Sequence, residues 1–354
     1  MATKNSTSIV SSVTMRDLRR FVKDSVNQMD RESIRNLVNT YYDIQGYRIT
    51  LENRIRAAAE NAKKAAEERE KAEATKDIKN NVSENSSDDE FDLFMEGFDL
   101  ESDDEDAPEI TIESDKKSKS KKETGIREYD FNTDTLTSYS DYILSLGMRE
   151  LEEFIKNALK AYVDNDPIGQ WCTSIMGIGP VIAAGLLSYI DISKCKTAGC
   201  IWSYAGITGK EVKKKGEKLN YSPKFKTLCW KIGQSFIKTS NNPKDIYGHL
   251  YKEKKQFYQD KNNSGGFAER AAEELETKKI AKGTQLHKTL SEGKLSDAHI
   301  NAMSTRFAVK IFLSHLFEVW YEYYNGEKPP KPFVEAHLGH VHIISAPNRD
   351  MLFD

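Results

Sequence analysis

Apolar positions recur at three- and four-residue intervals over most of the chain, the spacing that gathers side chains on one face of an α-helix. Leu18, Val22, Val26 and Met29 mark a first short helix. A longer one runs through "SIRNLVNTYYDIQGYRITLENRIRAAAENAKKAAEEREKAEA", with Ile34, Leu37, Val38, Tyr41, Ile44, Ile49, Leu51 and Ile55 as its apolar side. Past Ile55 the stripe thins to alanines among Glu, Lys and Arg, which suits a solvated single helix or half of a coiled coil. "TSYSDYILSLGMRELEEFIKNALKAYVDN" reads as one or two amphipathic helices. Helices follow over "KTLCWKIGQSFIK" and "DIYGHLYKEKKQFYQDK", with an amphipathic stretch at 267–282. A long apolar helix is then capped by Asp297 and stopped by Gly326, Pro329 and Pro330. The tail "FVEAHLGHVHIISAPN" reads as a single strand. The predicted fold class is mainly α.

One stretch breaks the periodicity. In "SIMGIGPVIAAGLLSYI", residues 174–190, two glycines and a proline separate two apolar helical patterns. Gly177 and Gly179 are expected to form a tight turn at positive φ. Pro180 suits the first position of the next helix, where no amide hydrogen is missed. Such a corner points backbone N–H groups outward at a helix N-terminus, and that is an anion site. A plain helical corner without a ligand is the competing reading. With Ile178 between the glycines and Ala183 beyond Pro180, the stretch fits the pattern h-x-G-h-G-x-x-x-A of a helix-hairpin-helix, at about 165–190, which grips phosphates without reading bases.

Charge favours the ligand. The net charge is −3, but 84–115 holds fifteen acids and no Lys or Arg, so the rest of the chain carries +12. From Lys194 to Lys261 there are sixteen lysines against five acids, a local charge of +11. A basic stretch beside an anion-binding hairpin points to nucleic acid; a solvated lysine-rich surface explains the charge but not its placement. The candidate contacts are Gly177, Ile178, Gly179 and Pro180 of the hairpin, with Lys213, Lys214, Lys215, Lys218, Lys224 and Lys226. Tyr247, Tyr251 and Tyr258, set among lysines, are expected to join them, while Trp171, Trp202, Trp230 and Trp320 are expected in the core.

Composition also divides the chain. Residues 1–74 are N-terminal helices suited to homo-oligomerisation, 75–125 a disordered acidic linker, and 126–354 a helical domain. Within the linker, "FDLFMEGFDL" is an apolar island in acid that suits docking on a partner groove or over the lysines, or is an inert tether.

The stretch "IMGIGPVIAAGLLSYIDISKCKTAGCIWSYAGITG" resembles the C-terminal domain of the serine-using, bridge-RNA-guided insertion-sequence transposases. The shared marks are the GIGP hairpin (Gly177–Pro180), "DIS" at Asp191–Ser193 and "YAG" at Tyr204–Gly206. The likeness is close over about 60 residues and loose after Leu228, and "YDIQGYRITLENRIRA" is similar to the coiled-coil helix preceding that domain. It implies DNA as partner, with structured RNA as a second candidate. Two features depart from it. The family's nuclease-like domain, whose acidic residues hold Mg²⁺, has no counterpart in residues 1–30. The Ser–Gly that carries its nucleophile is replaced by "KEVKKKGEKLNYSPKFK". Ser222, followed by Pro223, is the nearest serine. It is either a nucleophile with Lys218, Lys224 and Lys226 as cations, or the N-cap of the next helix. The expected function is therefore transposase-related DNA binding, with an active serine recombinase, supplied with a nuclease domain by a partner, as the alternative.

All seven histidines follow residue 248, and His337, His340 and His342 cluster in "HLGHVH". With His299 or His315 they are candidate ligands for a divalent metal such as Zn²⁺ or Mn²⁺, or else structural hydrogen-bonded rings. Cys172, Cys195, Cys200 and Cys229 form either a zinc set or, in apolar helical settings, core packing. Four cysteines do not suggest a disulfide framework, no apolar run reaches transmembrane length, and the N-terminus lacks a signal-peptide core. An intracellular, cytoplasmic or nucleoid-associated setting is expected.

Overall fold

The computed structural model describes residues 28–80, 136–208, 218–330 and 344–353, together with Ser25, with backbone alone at 70, 72–80 and 136–138. Among them every regular element is helical. Helix α1 (Arg31–Asn80) opens where Asp30 Oδ1 accepts the Ser33 amide at 2.8 Å, and it runs past residue 75, where the acidic linker was expected to start. Helix α2 (Leu136–Asp164) is one continuous element. There follow α3 (Pro167–Ser174), α4 (Pro180–Tyr189), a 3₁₀ turn (Ile192–Lys194), α5 (Ala198–Tyr204), α6 (Pro223–Thr239), α7 (Ile246–Asn263), α8 (Ala268–Thr277), α9 (Gln285–Ser291), α10 (Asp297–Asn325) and α11 (Asp350–Phe353).

The chain divides into two compact units at places that composition does not mark: one takes the chain up to Gly46 and from Met148 onward, the other is Tyr47–Gly147. In the first, α10 is the central helix and packs on α3, α5, α6 and α7. Phe312, Leu313 and Leu316 of α10 are buried with Trp171 of α3 and Phe236 of α6. The Trp171 ring lies nearly parallel to Phe312, and Phe236 stacks on Tyr247 at 5.0 Å between centroids. The first third of α1, up to Gly46, belongs to this unit. Arg35 donates to the Ser188 carbonyl at 2.8 Å, and the Tyr189 hydroxyl to Asn39 Oδ1 at 3.0 Å.

The aromatic residues of this unit reverse two expectations. Tyr247 and Tyr251 are buried, because four-residue spacing puts both on the α7 face turned to α10. Their hydroxyls meet His315 and Asn301, so neither is a nucleic-acid contact. Tyr258 is half-buried against the second core. Trp230, expected inside, is 60% exposed on α6.

A smaller core joins Phe267, Ala271, Leu290, Leu295 and Ile300, and it is here that the unanticipated helix α9 packs on α8. Asn262 of α7 closes it, its side chain exchanging two 2.9 Å hydrogen bonds with the backbone of Leu295. The cap of α10 is Ser296, whose Oγ accepts the His299 amide, with Asp297 one position inside; Gly326 ends the helix in the left-handed conformation, as expected.

The second unit has described residues on α1 and α2. Arg48 pairs with Glu52 one turn on at 2.9 Å. Tyr47, Ile49, Ile143 and Leu144 are exposed.

Candidate functional site

The hairpin joins α3 to α4. Asp166 caps α3 by accepting the Gly169 amide at 3.0 Å, and the chain then turns through Ile175–Gly179. Gly177 has φ +91, a value that side chains rarely adopt. A Cβ there would also sit 3.2 Å from Phe236 and Thr239. Its carbonyl accepts Ser235 Oγ at 2.5 Å, which ties the turn to α6. Gly179 differs from expectation: it caps α4 with φ −92 and ψ 172, an extended conformation open to any residue. A Cβ at Gly179 would meet nothing within 4 Å. Space, not backbone freedom, is what this second glycine provides.

No side chain caps α4, and Pro180 at its first position has no N–H. Among the described residues the amides of Gly179, Val181 and Ile182 meet no acceptor. Ile178 is not a contact of the kind the sequence suggested. Its side chain is buried and its amide donates to the Ile175 carbonyl at 3.0 Å, so it anchors the turn.

Helix α6 runs antiparallel to α4. Ser235 meets Gly177, Leu228 lies against Gly185 so closely that a Cβ there would come within 2.7 Å, and Phe225 stacks on Tyr189 at 5.6 Å. Helix α6 carries four lysines and no acid. Lys224, Lys231 and Lys238 are seven residues apart and so line one edge, about 10 Å between neighbours. Lys238 is exposed in the last turn, beside the residues that hold Gly177. The Lys231 ammonium lies 4.0 Å from the Tyr42 ring centroid, and burial, then Lys238, lowers its pKa. Beyond α6, Lys244 lines a pocket of about 270 Å³ with Ser174, Ile175, Met176, Ile246, Tyr247, Pro347 and Asn348. The Asn348 amide donates to Ser174 Oγ at 2.8 Å.

The lysines selected from sequence are distributed otherwise. Lys224 and Lys226 stand in the first turn of α6, with the Lys226 ammonium 4.7 Å from the Tyr221 ring centroid. Nine residues separate Lys226 from Ser235, a rise of about 13 Å. Lys218 is exposed before α6, and Lys213, Lys214 and Lys215 lie outside the described residues. Among the described residues, Lys244 shares a pocket with Ser174, Ile175 and Met176, and Lys238 adjoins Thr239, which lies against Gly177. Neither was singled out from the sequence; the seven-residue repeat of lysine through an apolar helix marks Lys238, and nothing local marks Lys244.

Ser222 is the N-cap of α6. Its Oγ accepts the Phe225 amide at 3.3 Å and its own amide donates to the Tyr204 carbonyl at 2.9 Å. The "DIS" segment forms a knot of charge: Asp191 accepts from Ser193 Oγ at 2.7 Å and pairs with Lys194 and Arg31. Those partners, the Ser193 hydroxyl first, hold the Asp191 carboxyl down at about 2. In the "YAG" segment Ala205 is buried and Gly206 turns the chain at positive φ against the Tyr221 ring.

His337, His340 and His342 lie outside the described residues, and among those described no three His, Cys, Asp or Glu side chains converge as a metal site. Cys172 and Cys229 are buried, as core packing requires. Cys195, in the loop before α5, is partly buried against the same core, and Cys200 is exposed. No described helix is long and apolar enough to cross a membrane. No family model, curated protein or solved structure matches the chain.

Proposed function

We propose that the chain is a transposase-related DNA-binding protein that holds the sugar–phosphate backbone between the α4 N-terminus and the lysine edge of α6. The observation that carries this is the uncapped start of α4, with three amides open, fastened by Ser235 to a helix that has four lysines and no acid. Amides and ammonium groups at that spacing suit phosphate and give no base readout. The relation to transposases rests on the GIGP, DIS and YAG motifs. Strand cleavage is not part of the proposal, because Ser222 Oγ serves as a helix cap. Self-association through the N-terminal helices is, and the exposed Tyr47 and Ile49 of α1 support it.

The test is a Gly179→Leu substitution. The backbone there accepts any residue and the space is open, so the domain keeps its fold while a side chain stands before the amides. Affinity for a DNA duplex, read by fluorescence anisotropy, is expected to fall about tenfold or more. An unchanged affinity in the folded variant removes the hairpin from the interface, and no binding by the unaltered protein overturns the proposal.

A further inference from the structure

We infer that Trp230 is a stacking platform for an unpaired base, so that the protein prefers nucleic acid containing a single-stranded stretch to continuous duplex. The inference rests on the phosphate-binding reading above and names the form of nucleic acid that the same face takes.

Trp171 and Trp320 are buried, and the Trp202 indole N–H donates to the Lys310 carbonyl. Trp230 alone of the four tryptophans exposes more than half of its surface. Tryptophan, with an apolar ring and one polar edge, is enriched at binding interfaces. The helical neighbours of Trp230 identify the occupant. One turn back are Lys226 and Thr227, and one turn on is Gln234. With no acid on α6 the face complements a polyanion.

Spacing strengthens the assignment. From Ser235, which holds the hairpin, back to Trp230 is five residues, a rise of about 7 Å and a turn of about 140° round α6. At the radius of the side chains the two are about 13 Å apart, roughly two nucleotides of extended backbone. A strand whose phosphate meets the α4 amides and Lys238 therefore reaches Trp230 about two nucleotides on, across the exposed side of α6 that carries Gln234 and Thr227. In a duplex the base faces are covered by their neighbours, so only an unpaired base can lie on the indole. DNA and RNA offer the same π-face, and the stacking is tolerant of sequence.

The experiment titrates the full chain with an oligothymidylate and an oligouridylate of about 12 nucleotides and with a DNA duplex of the same length. The expected result is quenching of tryptophan emission by both single strands, with Trp230→Ala binding them about tenfold more weakly and losing the quench. Trp230→Phe should retain most of the affinity, and duplex binding should change little in either variant. Equal single-strand affinity in Trp230→Ala overturns the stacking inference while leaving the phosphate site intact. If instead Gly179→Leu binds every probe normally, it is the phosphate site that fails. Displacement of the oligothymidylate by an acidic, phenylalanine-containing peptide at equal charge also overturns the inference, since the face would then belong to a protein partner.

Discussion

The Tyr247 hydroxyl and His315 Nδ1 lie 2.8 Å apart in the core, and His315 Nε2 lies 2.7 Å from the Ile344 carbonyl. A carbonyl only accepts, so Nε2 carries the proton and donates to it. Nδ1 is then the acceptor of the Tyr247 hydroxyl. The neutral ring satisfies both partners; a second proton would make the Tyr247 hydroxyl turn and accept, and would put a charge in the core.

Burial accordingly lowers the His315 pKa, partly opposed by the Ile344 carbonyl. The unfolded chain takes up a proton below about pH 6.5 where the folded one resists it, so stability is present above that pH and lost as pH falls. His299, lowered first by burial, acts in the same direction. Urea midpoints at pH 7.5 and 5.5 should differ in the unaltered protein. In His315→Gln the protein should be weaker at pH 7.5 and the difference smaller, with the His299 share persisting.

Asp191 governs a more acidic window. Its folded pKa of about 2 lies below the ordinary 3.8, so its contribution is present above about pH 4 and lost as pH falls toward 2. Ser193 and Lys194 hold it first and Arg31 reaches it at 3.3 Å, so the effect should be felt at the 3₁₀ turn and at the start of α1. In Asp191→Asn, amide hydrogen exchange in the first turns of α1 should be faster at neutral pH, and its rise between pH 4 and 2 should be blunted.

Ser222→Ala removes the cap of α6 and should cost about 1 kcal/mol, whereas Ser222→Gly should cost only a few tenths. Calorimetry checks both. Neither variant should change DNA affinity. A covalent protein–DNA adduct that Ser222→Ala abolishes would refute the capping role as the whole account.

The two hairpin glycines should separate cleanly. Gly177→Ala places a Cβ at a left-handed φ and against Phe236, and should destabilise the domain by about 1–3 kcal/mol. Gly179→Ala meets no clash and no strained φ and should cost less, under about 1 kcal/mol, as the loss of a glycine N-cap. Equal losses for the two would contradict the geometry of the turn.

Much of the helical plan was legible because periodicity and end signals agree: Pro180, Ser222 with Pro223, Asp245 and Gly326 all stand at helix ends in the structure. Tyr247 and Trp230 were misread for one reason. Residue type fixes neither which face of a helix turns inward nor which side chain finds a buried partner. Tyr247 has His315, sixty-eight residues away, and nothing local marks that pairing. The unit boundary at Gly46 was hidden likewise, since α1 crosses it without a break.

The antiparallel run of α4 and α6 has an electrostatic consequence. It sets the positive end of one array of peptide dipoles beside the negative end of another, about half a charge each, so their long-range fields largely cancel at Gly179. Attraction from a distance then falls to Lys238 and Lys244, which salt screens, while the amides act only at contact, through directional hydrogen bonds that salt leaves alone. Lys238→Gln should therefore flatten the log–log salt dependence of DNA binding by about one unit, and Gly179→Leu should lower the whole line with its slope unchanged.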